Sequence, residues 1–135
     1  MRIFITAPFQ GIDNKKEIEH LCSLVRKSGF EDFCFVRDVE KYQKMFSTPK
    51  ELMKRTKDEI QKSDALLIDM SNKPTGRAIE AGIAYSFQKK IVLIMKKGTV
   101  LKNPSKGIAD TIIEYDSLEE ITPQLKKFYQ LWKKS

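Results

Sequence analysis

Apolar positions fall into short dense runs separated by longer stretches in which they recur every three or four residues. The runs RIFITA (2 to 7), DFCFV (32 to 36), ALLIDM (65 to 70), IVLIMK (91 to 96) and DTIIEY (110 to 115) read as strands. The stretches 14 to 30, 48 to 64, 76 to 90 and 117 to 134 read as helices. ALLIDM and IVLIM show no polar alternation, the pattern of strands covered by helices on both faces. The alternation therefore predicts a three-layer α/β fold with a mostly parallel sheet. Thr48-Pro49 supplies an N-cap and a first-turn proline, Ser28-Gly29 ends the first helix, and Asp116 or Ser117 caps the last ahead of Glu119 and Glu120. Pro123 is expected to shorten or kink the start of that last helix. Residues 96 to 108 have the composition of a loop, and 37 to 47 are the least determined part of the chain.

A chain of 135 residues fits a single domain, 1–135, that needs no disulfide or metal to hold its core. With 41% hydrophobic and 32% charged residues, and apolar runs too short for a bilayer, a membrane protein is not expected. The opening MRIFITAPF reads as a strand rather than a signal peptide, so the expected location is the cytoplasm. Cys22 and Cys34 lack ligand spacing and read as core thiols. His20 has no second ligand nearby and reads as a surface or boundary residue, so no metal site is expected. The net charge of +7 suits an anionic partner. Its lysines are spread in pairs without interleaved aromatics, which favours a solvated basic surface over nucleic-acid binding.

In open parallel sheets ligands gather at the carboxyl ends of strands, here TAPFQGID, DMSNKPTG and KKGT. TAPFQG has too few glycines for a phosphate-cradling or dinucleotide loop. More informative is TGRAIEAGIAYS, where one carboxylate, Glu80, stands among Ala78, Ile79, Ala81, Gly82, Ile83 and Ala84. If the helix starts near Gly76, Glu80 falls on or just past its first turn, where the dipole favours the ionised form. A bare carboxylate on a pocket floor can attack an electrophilic carbon; a first-turn glutamate can also do no more than complement the dipole.

The succession SDALLIDM, TGRAIEAGIAYS and KKIVLIM resembles the nucleoside 2-deoxyribosyltransferase superfamily, nearer its 2'-deoxynucleoside 5'-phosphate N-hydrolase branch. Glu80-Ala81-Gly82-Ile83-Ala84 matches its Glu-x-Gly-x-Ala element. RIFITAPFQG resembles its first strand and substrate loop, and NPSKGIAD its serine loop before the last strand. The resemblance implies a flavodoxin-like, Rossmann-like sheet of five strands, a homodimer or higher homo-oligomer, and no cofactor. It implies Glu80 as the nucleophile on C1' of a deoxynucleotide or deoxynucleoside, with base released to water or exchanged.

Thr56 stands eight residues before Asp64, where the family carries an aspartate that handles the leaving base. Glu59, one turn on, is placed to reach the same side. Phe4 replaces a tyrosine that holds the nucleophile, and Pro74 replaces the transferases' aspartate for the 5'-hydroxyl. Without that acid the site suits a 5'-phosphate. Thr6 and Gly76 are implied substrate contacts, and Thr75, Arg77, Gly11, Ser105 and the helix N–H groups are candidates to hold the phosphate. Arg77 reads equally as a solvent-facing helix residue, and Ser105 as an ordinary loop serine. Asp69 is a candidate for sugar contact or proton handling, or else a turn cap. Phe9 either stacks on the base or packs locally. The expected activity is hydrolysis of 2'-deoxynucleoside 5'-monophosphates, with base exchange and a nucleotide-binding protein of impaired catalysis as alternatives.

Overall fold

The structure is a computed structural model that describes residues 1–7, 14–71 and 75–134, Thr75 by its backbone alone. Five strands, β1 (Arg2–Thr6), β2 (Glu31–Cys34), β3 (Ala65–Asp69), β4 (Lys90–Lys96) and β5 (Thr111–Tyr115), form one sheet. Its order is β2-β1-β3-β4-β5. Each neighbouring pair is parallel. The expected three-layer α/β architecture is thus observed, with the flavodoxin-like strand order.

Residue parity along the strands sorts the core into two layers. Ile3, Ile5, Leu67, Val92, Ile94 and Ile113 face α1 (Lys15–Lys27) and α6 (Ile121–Trp132). Phe4, Leu66, Ile68, Ile91, Leu93 and Met95 face the other way. That side is covered by α2 (Phe35–Asp38), α3 (Pro49–Lys62), α4 (Thr75–Ser86) and α5 (Asn103–Ile108). The central strands β3 and β4 therefore bury both faces, which explains their unbroken apolar sequence. No helix among the described residues is long and apolar enough to cross a membrane. Cys22 and Cys34 are both free and buried in the first layer.

Three boundaries differ from expectation. The strand predicted over 32 to 36 stops at Cys34. There the Asp38 carboxylate accepts the Cys34 backbone N–H at 2.9 Å, and Arg37 clamps Asp32 and Asp38, so the chain turns into α2 instead. The predicted loop 96 to 108 contains α5, a six-residue helix with Pro104 in its first turn. The last helix is preceded by a 3-10 turn over Leu118–Glu120, held by a capping box between Ser117 and Glu120. Its regular part starts at Ile121, two residues before Pro123. Thr48 caps α3 as expected, its hydroxyl accepting the Glu51 N–H at 3.1 Å.

Candidate functional site

Strand β1 lies between β2 and β3, so the connections leaving β1 and β3 run to opposite faces of the sheet and open a crevice at its carboxyl edge. Register places Thr6 beside Ile68, at the mouth of that crevice. From the next segment α4 starts at Thr75 and carries Glu80 on its second turn, over the end of β1. The Thr6 hydroxyl donates to Glu80 Oε1 at 3.2 Å.

Glu80 and Thr6 line a cavity of about 310 Å³, near the lower end of small-molecule sites (roughly 300–1,000 Å³). Gly76 and Arg77 share its wall with Ile5, Val36, Leu52, Met53 and Ile79, which leaves the carboxylate in a largely apolar recess. Burial pushes the Glu80 carboxyl up to about 7, against the Thr6 hydrogen bond and the Arg77 charge, which favour the anion. Glu80 is therefore less readily ionised than its place near the helix start led one to expect. At the sixth residue of α4 it stands beyond the first turn, where the dipole is felt most, and desolvation outweighs it. Arg77 donates to the Ser71 carbonyl at 2.8 Å. Its own affinity for a proton is lowered by burial and supported by the Asp69 and Glu80 carboxylates. It faces the site and is only partly exposed, so the solvent-facing reading does not apply.

Asp69 belongs to an adjoining cavity of about 450 Å³, together with Asn14, His20, Ser71, Lys96 and Tyr115. It accepts the Ser71 N–H at 2.9 Å, a turn-capping contact, and the Tyr115 hydroxyl at 3.0 Å. Burial and the Asp69 charge push Tyr115 up to about 12, which keeps it a donor at neutral pH. Ala7 and Ile18 form the partition between the two cavities, and Arg77 feels both acids across it. His20 is exposed and paired with Glu119 at 2.6 Å. Among the described residues no group of three His, Cys, Asp or Glu side chains stands close enough to hold a metal ion.

The remaining sequence candidates divide. Phe9, Gly11 and the Thr75 side chain lie outside the described residues. Ser105 is half-buried on α5 and lines neither cavity. Phe4 is fully buried against Phe33 and Phe35, and the hydrogen bond to Glu80 comes instead from Thr6, one strand repeat further on. Thr56 does line the Glu80 cavity, with its hydroxyl donated to the Leu52 carbonyl at 2.8 Å. Glu59 cannot substitute for the acid missing at Thr56. It is buried behind α3 between Arg2 and Arg55, each at 2.8 Å.

One acid in the cavity escaped the sequence reading. Glu40, on the turn after α2, is half-buried in the same wall as Glu80 and close enough for its charge to raise the Glu80 carboxyl. It lies within 37 to 47, where no periodicity pointed to a burial face.

No family model matches the sequence, and no curated protein matches it. Solved structures share the fold. A CMP N-glycosidase from Clostridium botulinum is 23% identical with a TM-score of 0.67, over 93% of this chain and 98% of that one. A 2-deoxyribosyltransferase from Bacillus psychrosaccharolyticus is 16% identical with a TM-score of 0.73, over 93% of this chain and 96% of that one.

Proposed function

We propose that the protein is an N-glycosidase of the nucleoside 2-deoxyribosyltransferase superfamily that hydrolyses 2'-deoxynucleoside 5'-monophosphates to free base and deoxyribose 5-phosphate. The observation that carries this reading is the Glu80 carboxylate, held by Thr6 on the floor of an apolar recess at the sheet's crevice. The fold shared with an N-glycosidase and a deoxyribosyltransferase over nearly the whole chain supports it.

In the mechanism Glu80 attacks C1' as the C1'–N bond breaks, giving a glycosyl ester that water then hydrolyses. The missing 2'-hydroxyl helps, because an electronegative substituent would destabilise the oxocarbenium-like transition state. Thr6 steadies the attacking oxygen. Arg77, Gly76 and the N–H groups at the start of α4 supply positive potential for the phosphate, with Thr75 as a further candidate. Asp69, fixed by Tyr115, faces the adjoining polar cavity and is suited to hold sugar hydroxyls. No metal or organic cofactor enters this chemistry.

The outward face of α4 favours a homodimer or higher homo-oligomer. Ile79 and Tyr85 are 53% and 58% exposed there, beside Ala78 and Gly82, and Ile79 also borders the cavity. Ile79→Lys is expected to shift the sedimentation coefficient toward that of a monomer.

Chromatography of reactions with each deoxynucleotide and its ribonucleotide, with and without a second base, tests the activity. Release of base from deoxynucleotides, lost in Glu80→Gln, is expected. Exchange without net hydrolysis would make the enzyme a transferase, and binding without either would leave a catalytically impaired nucleotide-binding protein. Unchanged release by Glu80→Gln would remove the nucleophile from the proposal.

A further inference from the structure

Displacing a nucleobase requires a proton for its departing ring, and α3 offers only the Thr56 hydroxyl, which is spent on the Leu52 carbonyl. Resting on the glycosidase reading above, we propose that Glu40 is the acid that protonates the leaving base, delivered to the cavity by the turn after α2. The carboxyl lies in the wall of the Glu80 cavity, next to Phe35, Val36, Leu52 and Met53. It has no hydrogen-bond or ion-pair partner among the described residues.

The backbone holds it there under strain. Directly after Glu40, Lys41 and Tyr42 take φ of 53° and 60°, the left-handed region that residues other than glycine seldom occupy. This turn is pinned by the Glu40 N–H on the Phe35 carbonyl at 3.1 Å and the Tyr42 N–H on the Val36 carbonyl at 2.9 Å. Tyr42 also reaches Glu19 through its hydroxyl and lies under the Lys15 ammonium. Two adjacent strained residues held from both α1 and α2 fix the backbone that carries Glu40.

The two carboxyls divide the work by their surroundings. Both are pushed upward by burial, and the Glu40 charge raises Glu80 further. Thr6 and Arg77 stand on the Glu80 side and stabilise its anion. Among the described residues no hydrogen bond or charge offsets the burial of Glu40. From α4 the groups facing it are Glu80 and Arg77, and from the end of β2 Cys34; α3 brings only Leu52, Met53 and Thr56, and its own loop brings Tyr42 and Lys44. Burial weighs more heavily on Glu80 than on Glu40, so it is the bound substrate, whose C1' grows positive against Glu80, that stabilises the anion there and leaves the proton to Glu40.

Electrons and protons then balance over two steps. A Glu80 oxygen bonds to C1', the C1'–N pair passes to the base, and the Glu40 proton moves onto the base. Water next attacks C1', gives its proton to the Glu40 carboxylate, and the ester pair returns to Glu80. This closes the cycle with one water consumed.

The test compares wild type, Glu40→Gln and Glu40→Asp on two kinds of substrate. One is a natural deoxynucleotide; the other is a 2-deoxyribosyl 5-phosphate carrying 4-nitrophenolate, which leaves without a proton. Glu40→Gln should lower kcat by about 100-fold or more on the nucleotide and by less than about threefold on the nitrophenyl compound. Glu40→Asp should recover part of the loss. In the wild type, activity should fall on the acid side as Glu80 gains a proton and on the alkaline side as Glu40 loses one. Glu40→Gln should abolish the alkaline limb and move the acid limb to lower pH, because the charge that raises Glu80 is gone. Equal losses on both substrates, or no loss, would overturn the role of Glu40 while leaving the glycosidase standing. Wild-type protein that releases no base from any nucleotide removes the glycosidase, and the acid with it.

Discussion

Thr6 and Arg77 both favour the anionic form of Glu80, and burial opposes them. Removing the hydroxyl in Thr6→Val leaves burial less opposed, so the Glu80 carboxyl should titrate higher. An activity that needs the Glu80 anion then has its acid limb moved to higher pH. On that limb the anionic fraction changes by a factor of about ten per pH unit, so kcat at pH 6 should fall severalfold while kcat at pH 9 stays near the wild-type value. The same burial has a consequence for stability. A carboxyl raised from its ordinary value to about 7 stabilises the fold most while protonated, fully below the unfolded value near 4.5, and that contribution is lost as pH climbs through 7. Glu80→Gln keeps the neutral shape at every pH. It should therefore be more stable than wild type by roughly 2 kcal/mol at pH 8 and about equal at pH 4, read by urea denaturation. A site that gains stability when disabled is what a functional strain predicts.

At the level of elements, caps and turns decide where each helix can start and stop. Thr48→Ala removes the acceptor for the Glu51 N–H and should cost about 1 kcal/mol, seen as a lower midpoint in denaturant without a change in slope. Gly29 ends the first helical segment with φ of 112°, and an added Cβ would meet Tyr129 Cδ1 at 2.7 Å. Gly29→Ala is thus expected to destabilise by about 2 kcal/mol or more, from backbone and contact together. Both positions were legible as punctuation, because Thr-Pro and Ser-Gly act through their own backbone. The segment 37 to 47 was not. Its structure depends on Asp38 and Arg37 closing on Asp32 and Cys34 and on Tyr42 reaching α1, contacts between residues that carry no period. Glu40 was hidden for that reason, and so was the short α2.

Across the whole molecule, a net charge of +7 should draw anionic substrates more strongly than neutral ones. Raising ionic strength from about 0.01 M to 0.15 M shortens screening from roughly 30 Å to 8 Å. Steady-state kinetics should then show kcat/KM for a deoxynucleotide falling severalfold while that for the matching nucleoside stays nearly constant. Equal responses would mean that the basic surface serves solubility alone. The crevice itself follows from sheet order: with β1 between β2 and β3, the helices part beside Thr6, and α4 starts on one flank of the gap.

The sequence by itself determined the layers and the presence of one acid in an apolar, glycine-containing helix. Strand parity, unbroken apolar runs and capping pairs act over a few residues, and their physics is complete in the local chain. Tertiary structure alone decided what that acid would meet. Thr6 is 74 residues away and Glu40 is 40 away, and they converge on Glu80 through strand order and a strained turn. Desolvation is also a property of the packed recess rather than of any segment. It is what turns Glu80 from an ordinary helical glutamate into a carboxyl that titrates near neutrality.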